Sequence, residues 1–355
     1  MRVSIELLPD PPANEVLSAI RTADEAGLDT AFLVDEIYHR DAWSILAAAA
    51  AQTSRIRLAA GVAHVTLRDP LLAAQQLATL DELSSGRAAA AFSVGNLAML
   101  EQFGFDPAEL HVAPRLREAH TAMRSYLDSG RVEMDGRFHR YHGVFTSARA
   151  VAARVPLLLG AMGGPLTFRM AGEIADGVYC ACSFSPAAFD YLITNVRRGA
   201  ERVGRDWRAL DLCASLTCAV SEDGDSAKVA ARTKAAFYLP SMPPALVERH
   251  GVPWAEVEPI CQAFARGDVR DALARTTDDL ADRFCIAGTP EEVAERIRRD
   301  VLPSGVDHIV LALADRRMAL DWARIDLPAL PSLDDQIRLI GTRIVPALLP
   351  VSSGD

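Results

Sequence analysis

Short apolar runs alternate with helical patterns along most of this chain. The runs are VSIELL, TAFLV, IRLAAG, RAAAAFSV, PLLLGA, DGVYCA, LDLCASLTCAV and DHIVLAL. Because they are apolar almost throughout, they are typical of parallel strands that are covered on both faces. Eight such strands alternating with helices predict an α/β fold, a (β/α)8 TIM barrel. A doubly wound open sheet is the alternative, but no G-x-G-x-x-G turn follows the first strand.

Two segments interrupt this alternation. Residues 221–285, between the seventh and eighth predicted strands, are mostly helical and polar. We interpret them as a helical insertion, which either covers the active site or carries a dimer contact. Residues 131–147 are polar and predict an exposed hairpin that contains His139 and His142. With these additions, residues 1–355 are expected to form a single barrel domain.

Two helix starts can be read directly from the sequence. Asp69-Pro70 precedes a helical pattern, and proline favours the first position of a helix. Thr289-Pro290 is followed by Glu292, which is the spacing of a capping box. Both motifs predict structure rather than chemistry.

Charge and composition limit the partners of the chain. A formal net charge of −10 over 355 residues argues against a nucleic-acid surface, since phosphate contacts need clustered Lys and Arg. The beginning, MRVSIELLPDPP, lacks the apolar region of a signal peptide. No stretch reaches the roughly 20 apolar residues of a membrane helix. These features favour a cytoplasmic protein without nucleic-acid or membrane partners, and we expect a homodimer.

Cysteine and histidine spacings do not predict a metal site. None of the cysteines forms a C-x-x-C pair, and the histidines have no H-E-x-x-H spacing. The cysteines are Cys180, Cys182, Cys213, Cys218, Cys261 and Cys285.

Polar residues stand at the carboxyl ends of several predicted strands, where a βα barrel keeps its active site. They are Glu6, Asp35-Glu36, Gly61-Val62-Ala63-His64, Ser93, Gly95-Asn96 and Cys180-Ala181-Cys182-Ser183. After the fifth strand, the turn Gly160-Ala161-Met162-Gly163-Gly164 precedes a helix that starts at Pro165. Small residues there leave main-chain N–H groups free to approach an anion, so this turn predicts a phosphate site.

Several segments resemble the bacterial-luciferase-like superfamily, and within it the deazaflavin (coenzyme F420)-dependent branch typified by methylenetetrahydromethanopterin reductase. The resemblance rests on TAFLVDE, RLAAGVAHVTLRDPLLAAQQLATLDELSSGRAAAAFSVGN, PLLLGAMGGPLTFRMAGEIADGV, LVERHGV and FCIAGTPEEVAERI. It runs from residue 3 to about residue 313.

The resemblance implies a set of cofactor-binding positions. Gly61-Val62 is expected to be a non-prolyl cis peptide in a bulge behind the deazaflavin ring, and the Gly160–Gly164 turn is similar to the cofactor phosphate loop of the family. The implied cofactor-binding residues are Asp35, Gly61, Val62, Ala63, Ser93, Gly95, Asn96, Gly160, Ala161, Met162, Gly163, Gly164, Cys180 and Ala181. Asn96 departs from the branch, where aspartate commonly stands, so the pterin substrate is not carried over.

The function implied is an oxidoreductase that transfers hydride from reduced coenzyme F420, an 8-hydroxy-5-deazaflavin, to an electron-poor C=N or C=C bond. The substrate is expected to be a small molecule or a modified peptide. Glu6 and Asp35 are the candidate catalytic acids, since two carboxylates at one barrel mouth raise each other's proton affinity. Two alternatives remain open: a luciferase-like monooxygenase that uses FMN, and a non-catalytic luciferase-like barrel.

Overall fold

A computed structural model describes residues 1–181 and 185–349 of the chain. The strands are β1 Arg2–Leu7, β2 Thr30–Leu33, β3 Arg57–His64, β4 Ala88–Ser93, β5 Arg131–Asp135, β6 Arg140–Phe145, β7 Leu157–Ala161, β8 Gly177–Cys180, β9 Asp211–Val220, β10 Cys285–Gly288 and β11 His308–Leu313. The helices are α1 Ala13–Glu25, α2 Ala42–Ala50, α3 Pro70–Leu83, α4 Leu97–Gln102, α5 Val112–Ser129, α6 Pro165–Ile174, α7 Pro186–Arg202, α8 Gly224–Tyr238, α9 Pro244–Arg249, α10 Trp254–Ala265, α11 Val269–Arg275, α12 Asp278–Ala281, α13 Pro290–Arg296, α14 Arg316–Ala323, α15 Leu333–Leu339 and α16 Val345–Leu348.

Eight parallel strands close into a barrel. Their order is β1-β2-β3-β4-β7-β8-β9-β11, and β11 pairs with β1 to complete the ring. The predicted (β/α)8 barrel is therefore confirmed, and the open-sheet alternative is excluded. Among the described helices, none is long and apolar enough to cross a bilayer.

The barrel has an inner and an outer apolar layer. The outer layer packs the strands against the surrounding helices and forms the larger cluster. The inner layer fills the barrel with Phe32, Ala59, Ala89, Ala91, Leu158, Tyr179, Cys213 and Val310. Its small residues leave room for two rings, Phe32 and Tyr179, whose centroids lie 4.8 Å apart.

Helices α8 to α12 occupy the predicted insertion between β9 and the last barrel strand. They have their own apolar cluster, which also includes Met162 of the turn after β7. Lys234 of α8 is fully buried, and its amine donates hydrogen bonds of 3.0 Å to the carbonyls of Ala312 and Leu313 at the end of β11. These bonds attach the insertion to the carboxyl end of the barrel.

The strand β10 was not predicted from the sequence. It pairs in parallel with the second half of β9, outside the closed ring. The strand is only four residues long, and an apolar run this short does not distinguish a strand from the end of a loop.

Residues 131–145 form the predicted antiparallel hairpin from β5 and β6. His142 is exposed, as expected, but the prediction that His139 is exposed was wrong, because that side chain is only 9% exposed. The His139 ring lies parallel to Tyr141, with 6.3 Å between centroids, and burial lowers its pKa. The main chain of His139 also donates a 3.0 Å hydrogen bond to Glu118 of α5. The hairpin thus folds back on α5 and covers one of its two histidines, which the polarity of the segment did not indicate.

Both predicted helix starts are confirmed. Asp69 caps α3 by accepting a hydrogen bond from the main chain of Leu71. Thr289 and Glu292 form a complete capping box at the start of α13.

An ion-pair network closes the amino-terminal end of the barrel. Arg2 donates two hydrogen bonds to Asp211, of 2.8 and 3.0 Å, and Nδ1 of His308 lies 2.8 Å from the same carboxylate. Burial alone would raise the pKa of Asp211, but the bonds and charges of His308 and Arg2 outweigh it and hold that pKa well below its ordinary value. Strands β1, β9 and β11 are thereby joined at their first residues.

Asp211, Cys213 and His308 have ligand atoms within 4.8 Å of one another, a spacing that a metal ion could bridge. Two observations speak against that use. Both oxygens of Asp211 are already bound by the cationic Arg2. Both ring nitrogens of His308 are also engaged, Nδ1 by Asp211 at 2.8 Å and Nε2 by the hydroxyl of Ser4 at 2.7 Å.

We predict that Asp211→Asn lowers the free energy of unfolding by about 2 kcal/mol at pH 7, because the buried His308 and the partly exposed Arg2 lose the anion that they share. Since the folded pKa of Asp211 is depressed, its stabilisation is complete above the ordinary carboxyl pKa and is lost as pH falls below about 4. Urea unfolding of both proteins between pH 7 and pH 3 measures this difference. Asp307→Asn is the control, since Asp307 lies 3.7 Å from Arg2 but is exposed. Equal effects of the two substitutions would contradict the prediction.

Candidate active site

Glu6 lies inside the barrel near the carboxyl end of β1 and is only 7% exposed. Its Oε2 accepts hydrogen bonds from the hydroxyls of Tyr179 on β8 and Ser215 on β9, the latter at 2.9 Å. Within residues 1–181 and 185–349, no group donates to its other oxygen, Oε1. The carboxylate is therefore held from one side and has a free oxygen on the other.

Asp35 follows β2 and is also buried. Oδ2 accepts a 3.0 Å hydrogen bond from the indole of Trp43, and Oδ1 lies 3.4 Å from the guanidinium of Arg68. Both oxygens of this carboxylate have a partner, whereas among the described residues only one oxygen of Glu6 has. Its position suits it to order the loops that follow β2 and β3.

Glu36 is a third carboxylate near these two. Burial raises its pKa, and the charges of Glu6 and Asp35 raise it further, against the opposing effects of a 3.4 Å hydrogen bond from Asn96 and the charge of His39. A carboxyl group with a raised pKa is a candidate proton donor. The sequence places Glu36 at a strand end but does not identify it as a candidate catalytic acid.

The end of β3 and the loop after it carry polar atoms that have no partner among the described residues. His64 is buried, and among the described residues its Nδ1 has no hydrogen bond, nor have Thr66 Oγ1 and Arg68 Nε. Burial lowers the pKa of His64, and Arg68 adds to this, while the nearby Asp35 opposes it. Burial therefore favours the neutral form of this histidine.

The Gly61-Val62 peptide bond is cis, which confirms the expectation. The pairing of β3 with β4 shifts register here, so the strand bulges between Gly61 and Ala63. Val62 joins the interior cluster, and Ala63 packs in the outer layer. A Cβ atom on Gly160 would lie 2.7 Å from Val62 Cγ1, so the bulge and the start of the glycine turn are in direct contact.

The turn after β7 has the free main-chain donors that an anion site needs. Among the described residues, no acceptor binds the N–H groups of Met162, Gly163 and Gly164. Helix α6 begins directly afterwards at Pro165, so its positive dipole end faces the same turn. These observations support the phosphate site expected from the sequence.

Helix α9 of the insertion covers one side of this turn. The Arg249 guanidinium stacks 3.5 Å above the ring of Tyr191 and lies 3.4 Å from the carbonyl of Gly163. Gly163 has a φ of +108°, and a Cβ there would lie 3.1 Å from both Arg249 and Leu246. A side chain at Gly163 would therefore disturb the insertion as well as the turn. Gly164 has an ordinary φ of −73°, and a Cβ there would meet, among the described residues, only the hydroxyl of Thr167, at 3.8 Å.

The remaining predicted residues are placed as follows. Ser93 ends β4 and accepts a 3.0 Å hydrogen bond from the main chain of Gly95. Asn96 caps α4. Cys180 packs in the outer layer, so only its main chain faces the strand end, whereas Ala181 contacts the interior cluster. Cys182 and Ser183 lie outside the described residues.

Sequence reasoning missed Tyr179 and Ser215, which bind Glu6. Both are polar residues inside otherwise apolar strands, and that is the signal that could have found them. Side chains alternate between the two faces of a strand, and only the register of the closed sheet determines which of them point into the barrel.

Comparisons with known proteins agree with this geometry. The family model described as luciferase-like monooxygenase matches residues 1–308. The chain is 30% identical to the 5,10-methylenetetrahydromethanopterin reductase of Methanopyrus kandleri, over 96% of this chain and 97% of the relative. It is also 30% identical to the reductase of that name from Archaeoglobus fulgidus, over 98% and 100% of the two chains.

A solved structure, the coenzyme F420-dependent tetrahydromethanopterin reductase from Methanopyrus kandleri, superposes with a TM-score of 0.86. The sequence identity is 28%, and the match covers 98% of this chain and 99% of the other. The similarity therefore extends over the barrel and the insertion together.

We predict that Gly61→Ala lowers the free energy of unfolding by about 1–3 kcal/mol, the usual cost of overpacking a core. The added Cβ would overlap the ring of Phe32. In the double variant Gly61→Ala/Phe32→Leu, the smaller leucine makes room for the new methyl group. The double variant should therefore lose less free energy of unfolding than the two single variants together. Urea unfolding of the two single variants and the double variant measures the coupling. Strictly additive losses would show that the two residues do not compete for space.

Proposed function

Since the chain belongs to the luciferase-like monooxygenase family, we propose that it transfers hydride from reduced coenzyme F420 to an electron-poor C=N or C=C bond. The chain is an oxidoreductase, and its cofactor is coenzyme F420. The observation that carries the finer proposal is the free oxygen of the buried Glu6 carboxylate, at the end of the barrel where the bulge and the glycine turn also lie.

The residues present fit this cofactor. The N–H groups of Met162, Gly163 and Gly164 would hold its phosphate, because none of them donates to a described acceptor and they lie beside a helix start. The bulge at Gly61-Val62 would support one face of the ring. The ring and its side chain would be surrounded by Asp35, Ser93, Gly95 and the main chain of Cys180 and Ala181.

The bound deazaflavin supplies hydride, and because carbon replaces nitrogen at its reactive position, it does not react readily with oxygen. The protein must hold the substrate against the ring, exclude water and provide a proton. Glu6 suits the last task, since its buried carboxyl has one oxygen free to exchange a proton. A proton moves from this oxygen to the substrate atom adjacent to the carbon that receives the hydride.

Asp35 and Glu36 are weaker candidates for the proton donor. Asp35 is paired with Arg68 and with the indole of Trp43, so both oxygens are occupied. Glu36 has a raised pKa, but it binds Asn96 and is more exposed than Glu6. We propose that Asp35 orders the site and that Glu36 contributes through its charge.

The substrate is proposed to be a small molecule or a modified peptide with an electron-poor double bond. The names of the relatives identify a methylene-pterin as their substrate. Asn96, which caps α4 and binds Glu36, stands where that branch commonly has an aspartate. The pterin is therefore a probe to be tested rather than the proposed substrate. The homodimer and the cytoplasmic location remain predictions.

Binding and turnover test the proposal in sequence. The protein is titrated with coenzyme F420 and with FMN, and binding is followed by cofactor fluorescence. Reduced coenzyme F420 is then mixed without oxygen with methylenetetrahydromethanopterin, cyclohex-2-enone or 1-pyrroline, and reoxidation of the cofactor is followed by absorbance. We expect preference for coenzyme F420 and reoxidation by at least one probe. Oxygen-dependent turnover with FMN would favour the monooxygenase alternative, and binding of neither cofactor would favour a non-catalytic barrel.

We predict that Glu6→Gln lowers the single-turnover rate by about 10²–10⁴-fold at saturating reduced cofactor, the usual effect of losing a general acid. Asp35→Asn should weaken cofactor binding with a smaller effect on that rate. Glu36→Gln is the matched comparison, because it removes a neighbouring carboxylate of the same length. If Glu36→Gln lowered the single-turnover rate more than Glu6→Gln, Glu36 and not Glu6 would be the proton donor.

We predict that Gly164→Val raises the dissociation constant of coenzyme F420 about 10- to 100-fold, because the new side chain blocks donors that bind a charged phosphate. The backbone of Gly164 accepts a side chain without strain, so the fold should persist. Thr289→Val is the control, since it changes the residue before the first position of a different helix, α13. Unchanged affinity in a folded Gly164→Val protein would place the phosphate elsewhere.

A further inference from the structure

The carboxylate of Glu6 is bound in an unusual way for a buried acid of this protein. Two hydroxyls, those of Tyr179 and Ser215, donate to the same oxygen, Oε2. All three side chains are buried, with exposed fractions of 7% for Glu6, 1% for Tyr179 and 3% for Ser215. They come from β1, β8 and β9, so the arrangement depends on the closed barrel rather than on one local turn.

Other buried carboxylates in the described part of the chain are bound differently. Asp24 uses both oxygens to accept main-chain N–H groups of Ser54, Arg55 and Ile56. Asp81 likewise receives main-chain donors on Oδ1 and Oδ2. Such bonding on both sides is what a purely structural acid needs, because it satisfies the whole carboxylate. Glu6 differs in receiving both of its described donors on one oxygen.

Tyr179 is suited to act as a fixed donor. Burial raises the pKa of its hydroxyl well above the ordinary value, and the charge and hydrogen bond of Glu6 raise it further, so the phenol keeps its proton. Its ring packs against Phe32 inside the barrel, 4.8 Å between centroids, which limits its movement. Ser215 is held by the backbone of β9 on the same side of Glu6.

We propose that Tyr179 and Ser215 are positioning residues that reserve Oε1 of Glu6 for proton exchange with the substrate. The inference rests on the proposed function, in which Glu6 provides the proton. Since Oε2 receives two hydrogen bonds, a proton on Glu6 occupies Oε1. When that proton passes to the substrate, the negative charge left on the carboxylate is stabilised at Oε2 by the two hydroxyls.

The first test uses the protein without cofactor. A buried hydroxyl that donates to a carboxylate gives a downfield proton signal in NMR spectra, because its hydrogen bond is charge-assisted. We expect such a signal to disappear in Tyr179→Phe and to move upfield in Glu6→Gln. Tyr126→Phe is the matched control, since it removes another buried tyrosine hydroxyl, which binds Thr146 at 2.7 Å. If the downfield signal persisted in Tyr179→Phe as it does in Tyr126→Phe, Tyr179 would not be the donor to Glu6 and the proposal would be overturned.

The second test measures turnover of whichever of the three probes is reduced fastest. We expect Tyr179→Phe and Ser215→Ala each to lower kcat about 10- to 100-fold, the effect of losing a hydrogen bond to a charged group. KM and cofactor affinity should change little. Ser215→Thr, which keeps a hydroxyl, should retain most of the activity, and Tyr126→Phe should behave as the unmodified protein.

A double-variant comparison separates positioning from general structure. If Tyr179 acts through Glu6, then adding Tyr179→Phe to Glu6→Gln should cause no further loss of kcat. Independent losses in the two backgrounds would overturn the proposal, and so would normal kcat in Tyr179→Phe. Failure of every probe to react would instead contradict the proposed function, while the NMR signal would still report whether Tyr179 binds Glu6.

Discussion

The packing of Phe32 inside the barrel is the contact on which the rest of the active end depends. Its ring occupies the space that a Cβ atom on Gly61 would need, and it also packs against Tyr179. The first contact leaves no room for a side chain at the bulge of β3, and the second holds the donor of Glu6. One aromatic residue on β2 thus links the surface expected to support the cofactor with the acid expected to serve the substrate.

The chain uses its buried charges in two distinct ways. At the amino-terminal end of the barrel, Asp211 is surrounded by Arg2 and His308 and has no free position, so its charge contributes to stability. At the carboxyl end, Glu6 is left with an oxygen that the described residues do not satisfy. An oxygen that no described residue binds stays available to a ligand. The buried carboxylate at the amino-terminal end of the barrel therefore serves stability, and the one at the carboxyl end is available for chemistry.

The amino-acid pattern was sufficient for the eight barrel strands, because a continuous apolar run has few other interpretations in a barrel. It also located Glu6, Asp35 and the glycine turn, since polar residues at strand ends converge at one mouth. It could not identify Tyr179 or Ser215, whose importance depends on which face of a strand points inward. Nor could it predict the raised pKa of Glu36, which arises from burial and from charges on other segments. These properties depend on contacts between residues that are distant in the chain.

The buried amine of Lys234 has a consequence for how the insertion can be exchanged between homologues. Because α8 delivers this donor to the terminal carbonyls of β11, the helix is part of the barrel's own architecture. A graft that replaces the segment from residue 224 onward would leave those carbonyls without this donor. Cutting after Tyr238 would keep α8 with its scaffold and treat only the later helices as a module. The part of the insertion that can be exchanged therefore begins after α8, although the insertion itself begins before this helix.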